Sequence, residues 1–180
     1  MANWSRFYYR TRKPRDFILR RMKTVRDWLN EYAVSHQNPV NKTVHWICVP
    51  IITFTVLGLL RAIPAGNDMV NACTIGAALA LAYYAALSWR LTVGMVAAFA
   101  ILYWLVQASY YGLGAGRHVA AMVAIFVAAW IGQFIGHNVE GARPSFFKDL
   151  QFLLIGPLWL MSFVYRKLDV AIDDRRIAHG

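Results

Sequence analysis

This chain of 180 residues is 58% hydrophobic, only 16% of its residues are charged, and its formal net charge is +10. A water-soluble domain of this size needs more polar surface to cover its core, which argues against an ordinary soluble enzyme or binding module. The apolar residues form blocks long enough to cross a bilayer, which takes about 20 helical residues. We therefore expect an integral, multi-pass membrane protein with an all-α fold and a single functional domain.

The first segment of the chain is strongly basic. Residues 1–26 carry nine Lys and Arg against one acidic residue, without the apolar core of a signal peptide. Apolar side chains then recur at helical spacing, which predicts an N-terminal amphipathic helix lying on an anionic membrane surface. The stripe consists of Ile18, Met22, Val25, Leu29, Tyr32 and His36. We assign residues 1–43 to this basic arm, with the first histidine segment, and residues 44–180 to the transmembrane helical domain.

A basic arm is also typical of nucleic-acid-binding proteins. Here the adjoining membrane spans explain the charge through the positive-inside rule, so we expect membrane lipids as partners and no nucleic acid.

Four apolar blocks are predicted to cross the membrane as a polytopic helix bundle. They are Val44–Leu60, Met69–Leu87, Leu91–Tyr111 and Val119–Ile135. A fifth block, Leu150–Tyr165, is short and contains a Gly-Pro pair, so both a crossing and a re-entrant or interfacial course are open. The two cysteines lie far apart in apolar blocks, which predicts packing thiols and neither a disulfide nor a zinc site.

An even number of spans returns the chain to the membrane face from which it started. The basic arm is expected to stay cytoplasmic, so the first span begins and the fourth span ends at the cytoplasmic face. This face receives His36 and His45 from one segment, and His137 and Glu140 from the other. His118 lies at the opposite face and is expected to belong to no site.

Imidazoles with one carboxylate are the ligand set that non-haem Fe(II) oxygenases use, with positions left open for substrate and O₂. If both segments are helical, Asn41 shares a face with His45, and Gln133 shares a face with His137. The side-chain oxygen of Asn41, Gln133 or Asp149 can accept the second ring N–H of a histidine ligand and so orient it. The simpler alternative for the H-x-x-E pair is an interfacial hydrogen-bonded pair without a metal.

Two blocks of residues resemble a known family. The first is Y-x3-H-x4-N-x3-H-x4-P, from Tyr32 to Pro50, and the second is QFIGH-x2-E-x2-RP, from Gln133 to Pro144. Together they are similar to the small membrane-protein family of the yeast 2-hydroxy-fatty-acid dioxygenase. The resemblance extends over most of the chain, and only the long basic arm departs from it.

The resemblance implies an Fe(II)-dependent dioxygenase that shortens a long-chain 2-hydroxy fatty acid by one carbon, in α-oxidation, with O₂ as the second substrate. By position it implies His36, His45 and His137 as catalytic metal ligands. Glu140 falls on the acidic position of the family, either as a fourth ligand or as a close partner of a ligand.

The substrate would place a carboxylate at the membrane interface and an acyl chain between apolar helices. We expect Asn41, Lys42 and Arg143 to bind the carboxylate. The active site would face the cytoplasm, at the inner membrane of a bacterium or the endoplasmic reticulum of a eukaryote.

Two other classes of function are compatible with this composition. A di-iron membrane hydroxylase or desaturase needs clusters with more histidines than the five present here, which argues against that class. A transporter is disfavoured because the middles of the four predicted spans lack charged residues. A non-catalytic membrane scaffold or lipid-binding protein remains the alternative.

Overall fold

The computed structural model describes residues 23–141 and 152–172, which form six helices with no β-strand among them. The helices are α1 (Val25–Val34), α2 (Pro39–Arg61), α3 (Ala72–Leu87), α4 (Trp89–Leu113), α5 (Ala115–Glu140) and α6 (Ile155–Lys167). The all-α prediction is therefore confirmed for this part of the chain. Most of the predicted basic arm, together with Arg143 and Asp149, lies outside the described residues.

The most extensive helix–helix contact is between α2 and α5, which pack antiparallel. A Cβ on Gly136, near the end of α5, would touch Asn41 at the start of α2. At the opposite end, the His118 ring lies 3.0 Å from the carbonyl oxygen of Gly58. The first turns of α2 and the last turns of α5 therefore share one end of the bundle, as the topology argument predicted.

Local sequence sets the ends of both helices. The Asn38 side chain accepts a hydrogen bond from the N–H of Val40, and Pro39 fills the first helical position, where no N–H is needed. Helix α5 runs through Gly136 without a break and ends where Gly141 adopts a left-handed conformation, φ 73°. Both helical assumptions behind the histidine spacing are thus confirmed.

Three helices, α2, α4 and α5, are long and apolar enough to span a membrane. Their outward surface carries large apolar side chains such as Ile101 and Trp104, which are more than 60% exposed and need an apolar surrounding. Helix α3 is shorter than the predicted second span because Asn71 and Thr74 cap each other and start the helix late. Its 16 residues reach about 24 Å, short of a hydrocarbon core of about 30 Å.

The short helices α1 and α6 pack against each other. Val25, Leu29 and Tyr32, three positions of the predicted amphipathic stripe, are buried inside the protein and are not available to a membrane surface. The helix ends at Val34, so His36 lies beyond it in the connection to α2. Helix α6 has only 13 residues, and its Gly-Pro pair falls in the first turn, where proline is tolerated.

The end of the bundle opposite to His45 is held by a different polar cluster. The Arg61 guanidinium is buried, donates hydrogen bonds to Gln107 and Asp68, and lies over an aromatic ring of α4. The buried His118 ring bonds Ser109 as well as the backbone of α2. These contacts tie α2, α4 and α5 together and give His118 a structural role.

Because α2 and α5 approach closely at Gly136, we predict that a larger residue there destabilises the protein. A Cβ there would lie 2.5 Å from Oδ1 of Asn41, whose amide is already held by Ser35 and Glu140. We expect Gly136→Ala to lower the free energy of unfolding by about 1–3 kcal/mol, the usual cost of overpacking. Gly116→Ala in the same helix meets open space and should be neutral or slightly stabilising.

Thermal or denaturant unfolding of both variants in detergent measures this difference. A Gly136→Ala protein as stable as the Gly116→Ala protein would contradict the close packing.

Candidate metal centre

Three buried histidines meet at the shared end of α2 and α5. His36 comes from the α1–α2 connection, His45 from the second turn of α2 and His137 from the last turn of α5. One ring nitrogen of each lies within 4.8 Å of the others, and none of the three side chains is more than 6% exposed. Among the described His, Cys, Asp and Glu residues, this is the group whose geometry can hold a metal ion.

Backbone contacts fix the tautomers of two of these rings. His36 Nδ1 lies 2.6 Å from the carbonyl oxygen of Tyr32, and His45 Nδ1 lies 2.9 Å from that of Asn41. A carbonyl oxygen only accepts hydrogen bonds, so each Nδ1 carries the proton and donates it. The Nε2 atom of each neutral ring then presents a lone pair.

The two Nε2 atoms, of His36 and His45, face each other at 2.9 Å. Two lone pairs at this distance repel unless a cation or a proton lies between them. Burial lowers the pKa of His36 to about 4, which disfavours the proton at neutral pH. Imidazole nitrogens with the opposite ring nitrogen anchored are good ligands for transition metals, so the donor set fits a metal ion.

Aromatic packing holds the first ring of the cluster in place. Tyr32 stacks on His36 with ring centroids 4.2 Å apart and planes within 7°. The ring centroid of Trp159 in α6 lies 5.4 Å from that of His36 and 5.3 Å from that of Tyr32. Because His36 lies in a connection and not in a helix, these rings and its backbone hydrogen bond define its orientation.

The carboxylate of Glu140 ties the connection that carries His36 to the end of α5. Its Oε1 accepts the N–H of Gln37 at 2.7 Å, and its Oε2 accepts the N–H of Asn38 at 2.8 Å and Nδ2 of Asn41 at 3.2 Å. Both oxygens are thus used by N–H donors, and the carboxylate does not belong to the group of three ring nitrogens.

The predicted polar partners of the histidines take different positions. Asn41 is fully buried, and its amide nitrogen also donates to the carbonyl oxygen of Ser35. Its Oδ1 has no hydrogen-bond partner in the part of the chain that the structure describes. Gln133 is buried one turn before His137, and both line the same cavity.

A basic cavity of about 340 Å³ adjoins His36. Lys42, the cation that the sequence placed near the site, lines it together with Arg26 of α1 and Arg166 of α6. Apolar side chains, among them Trp159, and the polar residues Asn30, Gln37 and Ser162 complete its wall. This combination suits a ligand with an anionic head.

A smaller cavity of about 30 Å³, which we name the neck, adjoins His137. Its walls include Tyr32, Thr53 and Gly156, and most of its other lining is apolar. The cluster therefore has a basic cavity beside His36 and a mainly apolar one beside His137.

Sequence reasoning identified the three histidines and Lys42 but missed Arg26, Trp159 and Arg166. Trp159 and Arg166 reach the site only because α6 packs against α1. The spacing of residues in the sequence does not predict that contact. From the sequence, Arg26 is only one of the nine Lys and Arg residues of the basic arm.

Comparison with known proteins identifies the family of this chain. Residues 22–168 match the family described as 2-hydroxy-palmitic acid dioxygenase Mpo1-like. The chain is 27% identical over 145 residues to the 2-hydroxy-palmitic acid dioxygenase MPO1 of Saccharomyces cerevisiae. The aligned region covers 79% of this chain and 80% of the yeast protein. No solved structure matches it. Because the family match covers far more than half of the chain and includes all three histidines, this protein belongs to the Mpo1-like family.

Proposed function

We propose that this protein is an Fe(II)-dependent dioxygenase that shortens 2-hydroxy fatty acids by one carbon. Membership of the Mpo1-like family and the name of the yeast relative support the substrate class. The observation that carries the proposal is the buried cluster in which the Nε2 atoms of His36 and His45 face each other beside His137.

The metal would be held by His36, His45 and His137. When bound there, Fe(II) supplies the reaction with O₂, whereas Zn²⁺, which also binds imidazoles, has no redox chemistry. Three protein ligands leave positions for the substrate oxygens and for O₂.

Glu140 acts in this proposal as a positioning residue. Its contacts with Gln37 and Asn38 fix the connection that carries His36 against the end of α5. Asn41, bonded to Glu140 and Ser35, supports the same connection, and its predicted role in binding the substrate remains part of the proposal.

The basic cavity is the proposed place for the carboxylate end of the substrate. Lys42, Arg26 and Arg166 converge there beside His36, so the carbon atoms next to the carboxylate lie at the cluster. The predicted contribution of Arg143, outside the described residues, remains part of the proposal. The concentration of cations at this end of the bundle favours a cytoplasmic orientation of the site.

The overall reaction balances without an outside reductant. The C1–C2 bond of the 2-hydroxy acid breaks, C2 becomes the carboxyl carbon of the shortened acid, and C1 leaves as CO₂. These two carbons lose four electrons in total, which reduce one O₂, and the remaining hydrogen atoms leave as water. The protein has to orient the C1–C2 bond and keep bulk water from the buried cluster.

Purified protein loaded with Fe(II) should convert 2-hydroxypalmitic acid into the acid with one carbon fewer, consuming one O₂ per substrate. Palmitic acid is the matched control, since it lacks the hydroxyl oxygen and should not be consumed. Mass spectrometry of the products, with an oxygen electrode, measures both. Absence of any O₂-dependent loss of the 2-hydroxy acid would overturn the proposed function.

A further inference from the structure

An apolar cavity lies farther along α2 from the histidine cluster than the neck does. This inner cavity has a volume of about 180 Å³, and its walls include Leu57 and Leu60 of α2 and Gly76, Ala80 and Tyr84 of α3. It has no charged residue in its lining. An apolar chain is the ligand that suits such walls.

The inner cavity and the neck meet at two side chains. Thr53 and Leu153 line both, so the inner cavity adjoins the neck, which itself borders His137. The Thr53 hydroxyl donates to the carbonyl oxygen of Val49 within α2. Its hydrogen-bonding need is met inside the helix, which makes this junction compatible with a hydrocarbon chain.

We propose that the inner cavity binds the acyl chain of the substrate, which extends from the histidine cluster through the neck past Thr53. This inference rests on the proposed function, because it takes the substrate to be a 2-hydroxy fatty acid. It assigns the head of the substrate to the basic cavity beside His36 and the tail to the interior between α2 and α3.

The length of the route fits a long chain. His45, at the cluster, and Leu60, at the far end of the inner cavity, are fifteen residues apart on α2. At 1.5 Å per residue this is about 22 Å along the helix axis. One membrane leaflet offers its acyl chains about half of a hydrocarbon core of roughly 30 Å, so the route accommodates the chain of an ordinary membrane fatty acid.

Gly156 controls the width of the neck. A Cβ at this position would lie 3.2 Å from the Tyr32 hydroxyl oxygen and 3.4 Å from Cγ1 of Val49. The neck itself has room for about one water molecule, so passage of a methylene chain requires a neighbouring side chain such as Phe152 to rotate.

A second apolar space provides a matched control. This side groove of about 170 Å³ has Trp46, Ala98 and Met161 in its walls. It shares Val49 and Thr53 with the neck, and Thr53, Phe99 and Pro157 with the inner cavity. It lies beside the part of α2 between Trp46 and Thr53, whereas the inner cavity continues away from the cluster toward Leu60. A chain in the side groove would therefore be sensitive to Ala98 and not to Ala80.

The first test compares chain-length preference in Ala80→Phe and Ala98→Phe, both loaded with Fe(II). Ala80→Phe should lower kcat/KM for 2-hydroxypalmitic acid by about tenfold relative to 2-hydroxyoctanoic acid. The reason is that each methylene group excluded from an apolar site lowers the binding constant by about fourfold. Ala98→Phe should leave the ratio within about twofold of wild type. The reverse result, or no change in either variant, would overturn the proposal.

The second test needs neither turnover nor a folded variant. Wild-type protein without iron is irradiated with 2-hydroxypalmitic acid that carries a diazirine near its terminal carbon, and the labelled peptides are sequenced. Labels on α2 near Leu60 and on α3 near Gly76 support the inner cavity, whereas labels on Trp46 or Met161 overturn it. If the labels lie in the inner cavity but wild type consumes no 2-hydroxy acid, the proposed function fails while the chain-binding site stands.

Discussion

Replacing His45 with Ala is expected to abolish both stoichiometric iron binding and O₂-dependent turnover of a 2-hydroxy fatty acid. The His45 ring is fully buried, its Nδ1 is anchored to the backbone of α2, and its Nε2 faces that of His36. Removal leaves two imidazoles, too few to hold the metal in this arrangement. Iron analysis and substrate loss are measured on the same purified sample.

The matched control is His118→Gln at the other end of the α2–α5 pair. His118 is equally buried, and its hydrogen bonds to Ser109 and to the Gly58 carbonyl are structural. This variant should lose some stability but keep its iron and its turnover. Full iron and full turnover in His45→Ala would show that the cluster is a hydrogen-bonded core and not a metal centre.

Substitution of Glu140 by Gln is expected to weaken iron binding without eliminating it. The amide nitrogen of Gln would face an N–H donor of the Gln37–Asn38 segment, which now bonds a carboxylate oxygen. We expect an iron affinity about 10–100-fold lower, typical of the loss of a partner that orients ligands. The free energy of unfolding should fall by about 1.5–3 kcal/mol, the contribution of a hydrogen bond to a charged group.

Saturating Fe(II) distinguishes the two roles of Glu140. If the carboxylate only holds the connection that carries His36, excess Fe(II) restores turnover. If it is a ligand, turnover stays low at any iron concentration. Glu31→Gln is the control, since Glu31 pairs with Lys23 on the exposed face of α1 and should affect neither iron nor turnover.

The sequence was sufficient to predict most of the histidine cluster. The long apolar segments predict most of α2 and α5, and an even number of spans brings the start of the first and the end of the fourth to one membrane face. His36 was placed correctly near His45 even though it lies outside any helix. The stripe that included it suggested a continuous helix, which the structure ends at Val34.

The contacts of the short helices could not be predicted in the same way. The apolar face of α1 fits equally well against lipid or against another helix, and only the position of α6 decides between them. The same packing brings Arg166 and Trp159 to the site. The role of Glu140 also depends on contacts with residues about 100 positions earlier, which helical spacing does not report.

Anaerobic titration of the iron-free wild-type protein with Fe(II) tests the central claim most directly. The account predicts saturable binding of one Fe(II) per chain, and no such binding in a protein with His36, His45 and His137 all replaced by Ala. Circular dichroism in the same detergent should show the triple variant to be helical, because α2 and α5 keep their other contacts along their length. Wild-type protein that binds no more Fe(II) than the folded triple variant would contradict the account.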